Sequence, residues 1–80
     1  DAMAFRPAQW RLARFLLSAA GPDGRVTSSQ EEMAASISVS RVTVSRLLGE
    51  LARKGLIAAG YRWVTILDQA GLEQLCAQDT

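Results

Sequence analysis

One stretch decides the fold of this chain: residues 29–53 read SQEEMAASISVSRVTVSRLLGELAR. At its start, Ser29 and Glu32 have the spacing of a capping box, in which the serine oxygen accepts a backbone N–H of the first helical turn and the glutamate accepts the N–H of the serine. The pattern predicts a short helix over residues 30–37, which Ser38 ends. Its inward face would carry three apolar side chains, those of Met33, Ala34 and Ile37.

A second, longer helix is predicted over residues 41–53, with Ser40 as its N-cap. Apolar residues recur there with the i, i+3, i+4, i+7 spacing of one buried face: Val44, Leu47, Leu48 and Leu51. Lys54 and Gly55 end this helix, because a cation suits the negative end of the helix dipole and glycine readily forms a C-terminal cap.

The two predicted helices are separated by only three or four residues, so they cannot pack antiparallel and must cross steeply. The small Ala34 lies where the helices should meet, and the apolar Val39 fills the corner of the turn. This arrangement is typical of a helix-turn-helix.

On the N-terminal side, a helix is predicted over about residues 7–20, with Pro7 in its first turn and Gly21 as its C-terminal cap. Its core-facing side chains would be Ala8, Leu12, Phe15, Leu16 and Ala19. A second apolar stripe consists of Trp10, Ala13 and Leu17. This stripe packs either against the C-terminal segment or against a missing partner domain or subunit.

On the C-terminal side, two short strands are predicted over about residues 56–59 and 63–67, and Val64 and Ile66 alternate as the buried face of the second. Two further elements are a short strand over residues 25–27 and a last helix that Asp68 caps and that runs to about residue 77. A β-hairpin directly after the second helix of a helix-turn-helix is a wing.

We therefore predict a single domain over residues 1–80, with a flexible terminus at 1–5, the helix-turn-helix at 29–53 and the wing at 56–67. The fold class is mainly α with a small β-hairpin wing, a winged helix-turn-helix built on a three-helical bundle of the kind that binds DNA. A length of 80 residues allows one small core, and the ordinary share of hydrophobic residues, 49%, argues against disorder.

Several classes of protein are excluded by what the sequence lacks. No apolar run approaches the roughly 20 residues that span a bilayer, and no signal peptide is recognisable, so we expect a cytoplasmic location. A lone cysteine and the absence of histidine exclude an internal disulfide, the usual zinc sites and the commonest general base, so we expect no enzyme. Cys76 is interpreted as a packed apolar residue, with a redox-sensing thiol as the alternative.

The basic residues are concentrated in the middle of the chain. Residues 25–62 carry six basic and three acidic side chains, whereas residues 63–80 carry three acidic and no basic ones. A segment that faces DNA requires such a local excess of positive charge, although the net charge of the chain is only +1.

The outward face of the second helix suits the major groove. It carries Val42, Arg46, Gly49 and Arg53, with Arg41 and Ser45 beside them. Arginine can donate two hydrogen bonds to guanine, a small aliphatic group can touch the methyl group of thymine, and the helix N-terminus presents free N–H groups to phosphate. Gly49 either allows a close approach of the backbone to DNA or another helix, or is merely tolerated.

The same residues resemble the helix-turn-helix signature of the Crp/Fnr family of bacterial transcription regulators. The resemblance covers about residues 8–75, and its most specific part is SRVTVSR at residues 40–46. It implies a dimeric regulator in which a β-barrel sensor domain and a long dimerisation helix precede this module. Neither lies within the 80 residues, so we interpret the chain as a fragment or as a relative without them. The resemblance implies no cofactor here; an effector such as a cyclic nucleotide would bind the sensor domain.

Two positions depart from the pattern of that family. Many members carry a glutamate that reads a C·G pair where Val42 stands, so we expect a different operator sequence. Many members carry glycine where Ser38 stands, which leads us to expect a slightly different turn.

Eight residues are predicted to contact double-stranded DNA: Ser29, Ser40, Arg41, Val42, Thr43, Ser45, Arg46 and Arg62. Arg46 would read a base, which we expect to be guanine, and Val42 and Ser45 would set the preference for the neighbouring bases. The DNA backbone would be held by Arg41, Thr43, Arg62 and Ser29. The other expected partner is a second copy of the full-length protein. The alternative is a winged helix that contacts another protein through Val42, Trp63 or Trp10 and does not bind DNA.

Overall fold

Four helices and three strands make up the part of the chain that the computed structural model describes, residues 7–77. They follow in the order α1 (Ala8–Ala19), β1 (Arg25–Thr27), α2 (Gln30–Ile37), α3 (Arg41–Arg53), β2 (Ile57–Gly60), β3 (Trp63–Ile66) and α4 (Gln69–Ala77). The predicted flexible terminus at residues 1–5 lies outside the described residues.

The helix-turn-helix has the predicted bounds and the predicted caps. The Ser29 N–H donates to Glu32 Oε1 at 2.8 Å, and the Glu32 N–H donates to Ser29 Oγ at 3.1 Å, which completes the capping box. At the start of α3 the Thr43 N–H donates to Ser40 Oγ at 3.1 Å. Each cap satisfies a backbone N–H that has no partner within its own helix, and this fixes where the helix begins.

One apolar core lies between the helices and the sheet. The side chains predicted to face inward from α2 and α3 are all buried. The core consists of Leu12, Ala13, Leu16, Val26, Met33, Ala34, Ile37, Val44, Leu47, Leu48, Leu51, Leu56, Ile57, Val64 and Leu72. The prediction for Ala19 was wrong, because Ala20 packs against the core at the end of α1 and leaves Ala19 exposed.

The second apolar stripe of α1 packs against α4, the C-terminal helix. Ala13 is fully buried, Leu17 contacts the core, and Trp10 Nε1 donates a hydrogen bond to the Cys76 carbonyl oxygen at 2.8 Å. Burial raises the pKa of the Cys76 thiol, which disfavours the reactive thiolate. These contacts confirm packing against the C-terminal segment and favour a packing role for Cys76.

The end of α1 differs from the prediction, in which Gly21 was the C-terminal cap. Ala20 occupies the cap position in an extended conformation, with φ −66° and ψ 136°. The chain then enters a tight turn in which the Gly21 N–H donates to the Arg25 carbonyl at 3.1 Å. The left-handed residue of this turn is Gly24, with φ 75°. The extended conformation of Ala20 therefore ends the helix, and the chain passes directly into this turn.

The wing belongs to a three-stranded antiparallel sheet with the strand order β1-β3-β2. Val64, at the centre of β3, pairs with Val26 of β1 and with Ala59 of β2. The predicted hairpin is therefore present, shifted by one residue in β2, and β1 completes it from a distant part of the sequence.

None of the helices within residues 7–77 has the length and apolar character that a membrane-spanning helix needs.

The turn between α2 and α3 depends on a serine in the left-handed region. Ser38 has φ 60° and ψ 49°, a conformation that glycine adopts without strain and other residues adopt at a cost. A serine at this position therefore does not require a different turn. We expect Ser38→Gly to raise the free energy of unfolding by about 1 kcal/mol, measured by urea denaturation.

Ser36→Gly is the matched control, because Ser36 is an exposed serine within α2 and has helical geometry. There the same change is expected to lower the free energy of unfolding by about 0.5 kcal/mol. A change of the same sign in both variants would contradict the assignment of strain to Ser38.

The capping box makes stability depend on pH. The hydrogen bond from the Ser29 backbone N–H, assisted by the Ser29 side chain, lowers the pKa of Glu32 below its ordinary value of 4.5. The unfolded chain binds this proton more readily, so the contribution of Glu32 is present above about pH 4.5 and is lost as the pH falls through the lowered pKa.

We expect the urea midpoint to fall less steeply between about pH 5 and about pH 3 in Glu32→Gln than in the unchanged chain. Glu31→Gln is the control, because Glu31 forms no capping hydrogen bond within the described residues. Equal pH dependence in the unchanged chain and Glu32→Gln would show that the cap does not depend on the charge of Glu32.

Candidate nucleic-acid interface

The exposed side of α3 forms a shallow groove with the start of α2, which we call the helix groove. Val44, Leu47, Leu48 and Leu51 are buried beneath α3, so the opposite side of the helix faces solvent. Val42 is the clearest case, with 79% of its surface exposed. The helix groove has a volume of about 410 Å³ and is lined by Gln30, Arg41, Val42, Ser45 and Arg46.

A second groove, the wing groove, lies beside the first and shares Gln30 and Arg41 with it. It runs between the N-terminus of α2 and the tip of the wing and has a volume of about 280 Å³. Its lining residues are Ser29, Gln30, Glu31, Arg41, Gly60, Tyr61 and Arg62. The fold thus brings six of the eight predicted contact residues into two adjoining grooves.

Ser40 and Thr43 are the two predicted residues that line neither of these grooves. They lie at the N-terminus of α3, where the Ser40 and Thr43 hydroxyl oxygens are 2.9 Å apart. Ser40 Oγ also accepts the Thr43 backbone N–H, so the capping interaction occupies much of its hydrogen-bonding capacity. Their predicted contact with DNA stays a prediction.

Gln30 lines both grooves, although the sequence analysis did not select it. It is the first residue of α2 and follows Ser29, so its position beside a predicted phosphate contact was the available signal. Its amide can both donate and accept hydrogen bonds, which suits a base edge or a phosphate.

The tip of the wing presents Tyr61 and Arg62 to solvent. Tyr61 is 87% exposed, and the Arg62 guanidinium lies 6.0 Å from the centre of its ring. Trp63 has a different role, because it is half-buried and its ring covers Gly60 so closely that a β-carbon there would overlap it. The Arg25 guanidinium lies over the Trp63 ring, 5.0 Å from its centroid. These contacts indicate a packing role for Trp63.

Arg46 is the basic residue of the helix groove whose side chain is held in place. Its Nη1 donates to Glu50 Oε2 at 2.8 Å, one turn further along α3. The Arg46 side chain is 61% exposed and that of Glu50 is 30% exposed.

Residues 7–77 contain no cluster of three or more acidic, cysteine or histidine side chains that could hold a metal ion.

Gly49 is not required by close packing of another helix. A β-carbon built there would meet only Arg53 Nη1, at an ordinary distance of 3.8 Å. We therefore expect Gly49→Ala to raise the free energy of unfolding by about 1 kcal/mol, measured by thermal or urea denaturation. A DNA titration of the same variant decides whether the glycine serves close approach to DNA or is merely tolerated.

Gly71→Ala is the control for Gly49→Ala, since Gly71 is also helical but lacks space. Its β-carbon would lie 2.5 Å from Leu56 Cδ2 and 2.7 Å from Asp68 Oδ2. The gain in helix propensity is therefore expected to be cancelled there. An equal gain at both positions would contradict the argument from space.

Comparison with known proteins gives a consistent result. A family model described as the Crp-like helix-turn-helix domain matches residues 10–75. The transcriptional regulator LdrP of Thermus thermophilus is 44% identical in an alignment of 72 residues, with coverage of 80% of this chain and 37% of that protein. The transcriptional regulator SdrP of the same species is 40% identical in an alignment of 55 residues, with coverage of 66% of this chain and 27% of that protein. The chain thus spans well under half the length of these relatives.

Solved structures show the same fold. The crystal structure of a CRP-family transcriptional regulator from Thermus thermophilus matches with a TM-score of 0.82 and 36% identity, covering 94% of this chain and 43% of the other. A second, of the CRP/FNR family from the same species, has a TM-score of 0.84 and 32% identity, covering 92% and 42%. The predicted winged helix-turn-helix is confirmed. These similar proteins are regulators and not enzymes, as the absence of a catalytic residue set predicted.

Proposed function

Because the chain belongs to the Crp/Fnr family of transcription regulators and forms its Crp-like helix-turn-helix domain, we propose that it reads a specific DNA sequence with α3 in the major groove. DNA binding is what such a domain implies. The proposal adds the groove, the sequence specificity and the residues that supply it.

One observation carries the proposal: α3 exposes a single side on which two arginines flank an aliphatic residue. Arg41, Val42 and Arg46 all line the helix groove, and the opposite side of α3 is buried. The major groove of B-DNA, about 12 Å wide, admits an α-helix presented in this way. A helix used only for packing would have no need of this arrangement.

The side chains on α3 divide into base-reading and backbone-holding groups. Arg46 would donate two hydrogen bonds to guanine, and Val42 would contact the methyl group of a thymine beside it. Ser45 would set the neighbouring preference. Because valine accepts no hydrogen bond, a cytosine amino group opposite Val42 would have no acceptor there.

Of the backbone-holding residues, Ser29, Arg41 and Arg62 line the wing groove, and Thr43 lies in the first turn of α3. Arg41 and Arg62 supply positive charge for phosphates, and Thr43 supplies a hydroxyl group. Ser29 would contribute only its hydroxyl proton, because its backbone N–H and its oxygen are both used in the capping box. Mutation of these residues should weaken binding to all DNA sequences alike.

The proposed assembly is a homodimer of the full-length protein on a palindromic site. A single module buries little surface, and two copies would bind half-sites about 34–36 Å apart, one turn of DNA. The chain spans 37% of LdrP, so dimerisation and effector binding, for example of a cyclic nucleotide, would use other segments. No cofactor is proposed within this domain, and binding of the bacterial chromosome would place the protein in the cytoplasm.

Selection of bound sequences from random DNA, repeated at two salt concentrations, tests the proposal. We expect an enriched half-site and an affinity that falls steeply with salt, because each phosphate contact releases counterions. Salt-sensitive binding without enrichment would assign specificity to the dimer, which fusion to a dimerising coiled coil should restore. Absence of binding at low salt would refute the proposal and favour the protein-contact alternative.

Replacing the selected thymine by uracil then tests Val42, since this change removes only the methyl group. The unchanged chain should bind the uracil site more weakly, and Val42→Ala should bind both sites equally. Equal binding of both sites by the unchanged chain would exclude the methyl contact.

A further inference from the structure

The ion pair between Arg46 and Glu50 is a feature of the interface that the proposed function does not explain. Arg46 lines the helix groove, Glu50 lies one turn further along α3, and their closest atoms are 2.8 Å apart. Arg46 is the residue that would read guanine. Glu50 places a negative charge beside it, and this charge would repel DNA phosphates.

The stability of α3 does not account for this pair. Glu50 lies in the last turn of α3, where the helix dipole disfavours a carboxylate. An arginine four residues before a glutamate is also the less favourable order for a helical ion pair. The better order would join Glu50 to Lys54, yet within residues 7–77 the carboxylate pairs with Arg46.

The geometry fits a role in DNA reading. Glu50 engages one of the five N–H donors of the Arg46 guanidinium and leaves the other four available for guanine. An arginine held in this way loses fewer side-chain conformations when it binds than a free one does. The charge of Glu50 also repels phosphates, which lowers affinity for DNA in general.

We propose that Glu50 is a positioning residue that holds the Arg46 guanidinium for guanine and raises the specificity of the domain. The proposal rests on the proposed function, because it requires that Arg46 reads a base. It predicts opposite effects on two quantities, since loss of Glu50 weakens the cognate contact and removes a repulsive charge.

Glu50→Ala is the test, with binding followed by fluorescence anisotropy on the selected half-site and on the same site with its guanine pair replaced by A·T. The ratio of the two affinities is expected to fall by about three- to tenfold, and the affinity for unrelated DNA to rise by about twofold. Glu50→Gln keeps a hydrogen-bond acceptor and should retain part of the ratio.

Two further variants separate positioning from charge and from folding. Glu73→Ala removes an exposed acidic side chain from α4 and should leave the ratio unchanged. In an Arg46→Ala background, Glu50→Ala should no longer change the ratio, because the side chain that it positions is gone. Urea denaturation of each variant confirms that the fold is retained.

The outcomes distinguish this inference from the proposed function. If Glu50→Ala tightens binding to both sites equally, Glu50 is only a repulsive charge and the inference is overturned, while DNA reading stands. If the ratio falls equally with and without Arg46, Glu50 acts by itself and the inference is also overturned. If the unchanged chain does not distinguish the two sites, both the inference and the role of Arg46 are refuted.

Discussion

Replacing Arg46 by alanine is expected to cost about 1–3 kcal/mol in binding the cognate site, roughly a 5- to 150-fold loss of affinity. The loss should be confined to cognate DNA, because a bidentate hydrogen bond to guanine exists only there. The measurement is a set of anisotropy titrations with single base-pair changes across the half-site. Discrimination should disappear at one base pair and persist at the others.

Arg62→Ala and Arg14→Ala are the controls for this prediction. Arg62, at the tip of the wing, should hold phosphate, so its loss weakens binding to all sequences and reduces the slope of log K against log salt by about 1. Arg14 is exposed on α1, away from both grooves, and its removal should change little. A uniform loss across sequences in Arg46→Ala would assign Arg46 to the backbone instead.

Leu51→Ala is expected to have the largest effect on stability, about 2–5 kcal/mol. Leu51 is fully buried beneath α3, and truncation leaves a cavity that its neighbours fill only in part. For a domain of 80 residues this corresponds to a fall in melting temperature of roughly 10–30 °C, measured by circular dichroism. DNA binding should fail as the folded population is lost and recover on cooling.

Val42→Ala is the matched control on the same helix. Its side chain is 79% exposed, so the change in stability should stay within about 0.5 kcal/mol. Effects of Val42 variants on DNA preference can then be attributed to contact with DNA. A destabilisation close to that of Leu51→Ala would contradict the placement of the two faces of α3.

Local patterns were sufficient to predict the helix-turn-helix. The caps at Ser29 and Ser40 are hydrogen bonds between residues three apart, and the buried face of α3 follows from its spacing. Such features depend on the chain's immediate neighbourhood, so their bounds could be predicted to the residue. The end of α1 could not, because it depends on a hydrogen bond from Gly21 to Arg25 across the next turn.

Features that join distant segments were not predictable from the sequence. The pairing of β1 with β3 joins Val26 to Val64, and no local pattern indicates that register. Gln30 entered the site only because the fold places the start of α2 beside α3. For Glu50 a signal existed, its position one turn after Arg46, but the sequence equally allowed Glu50 to pair with Lys54.

The β1–β3 pairing has a consequence for the order of folding. Arg25 pairs with Thr65, so all of α2 and α3 lie in the loop that this ladder closes. Closing a loop of that length costs chain entropy, which contacts inside it must offset. The ladder should therefore form late, after the two helices have docked. Mutations in β1 should then change the rate of unfolding more than the rate of refolding.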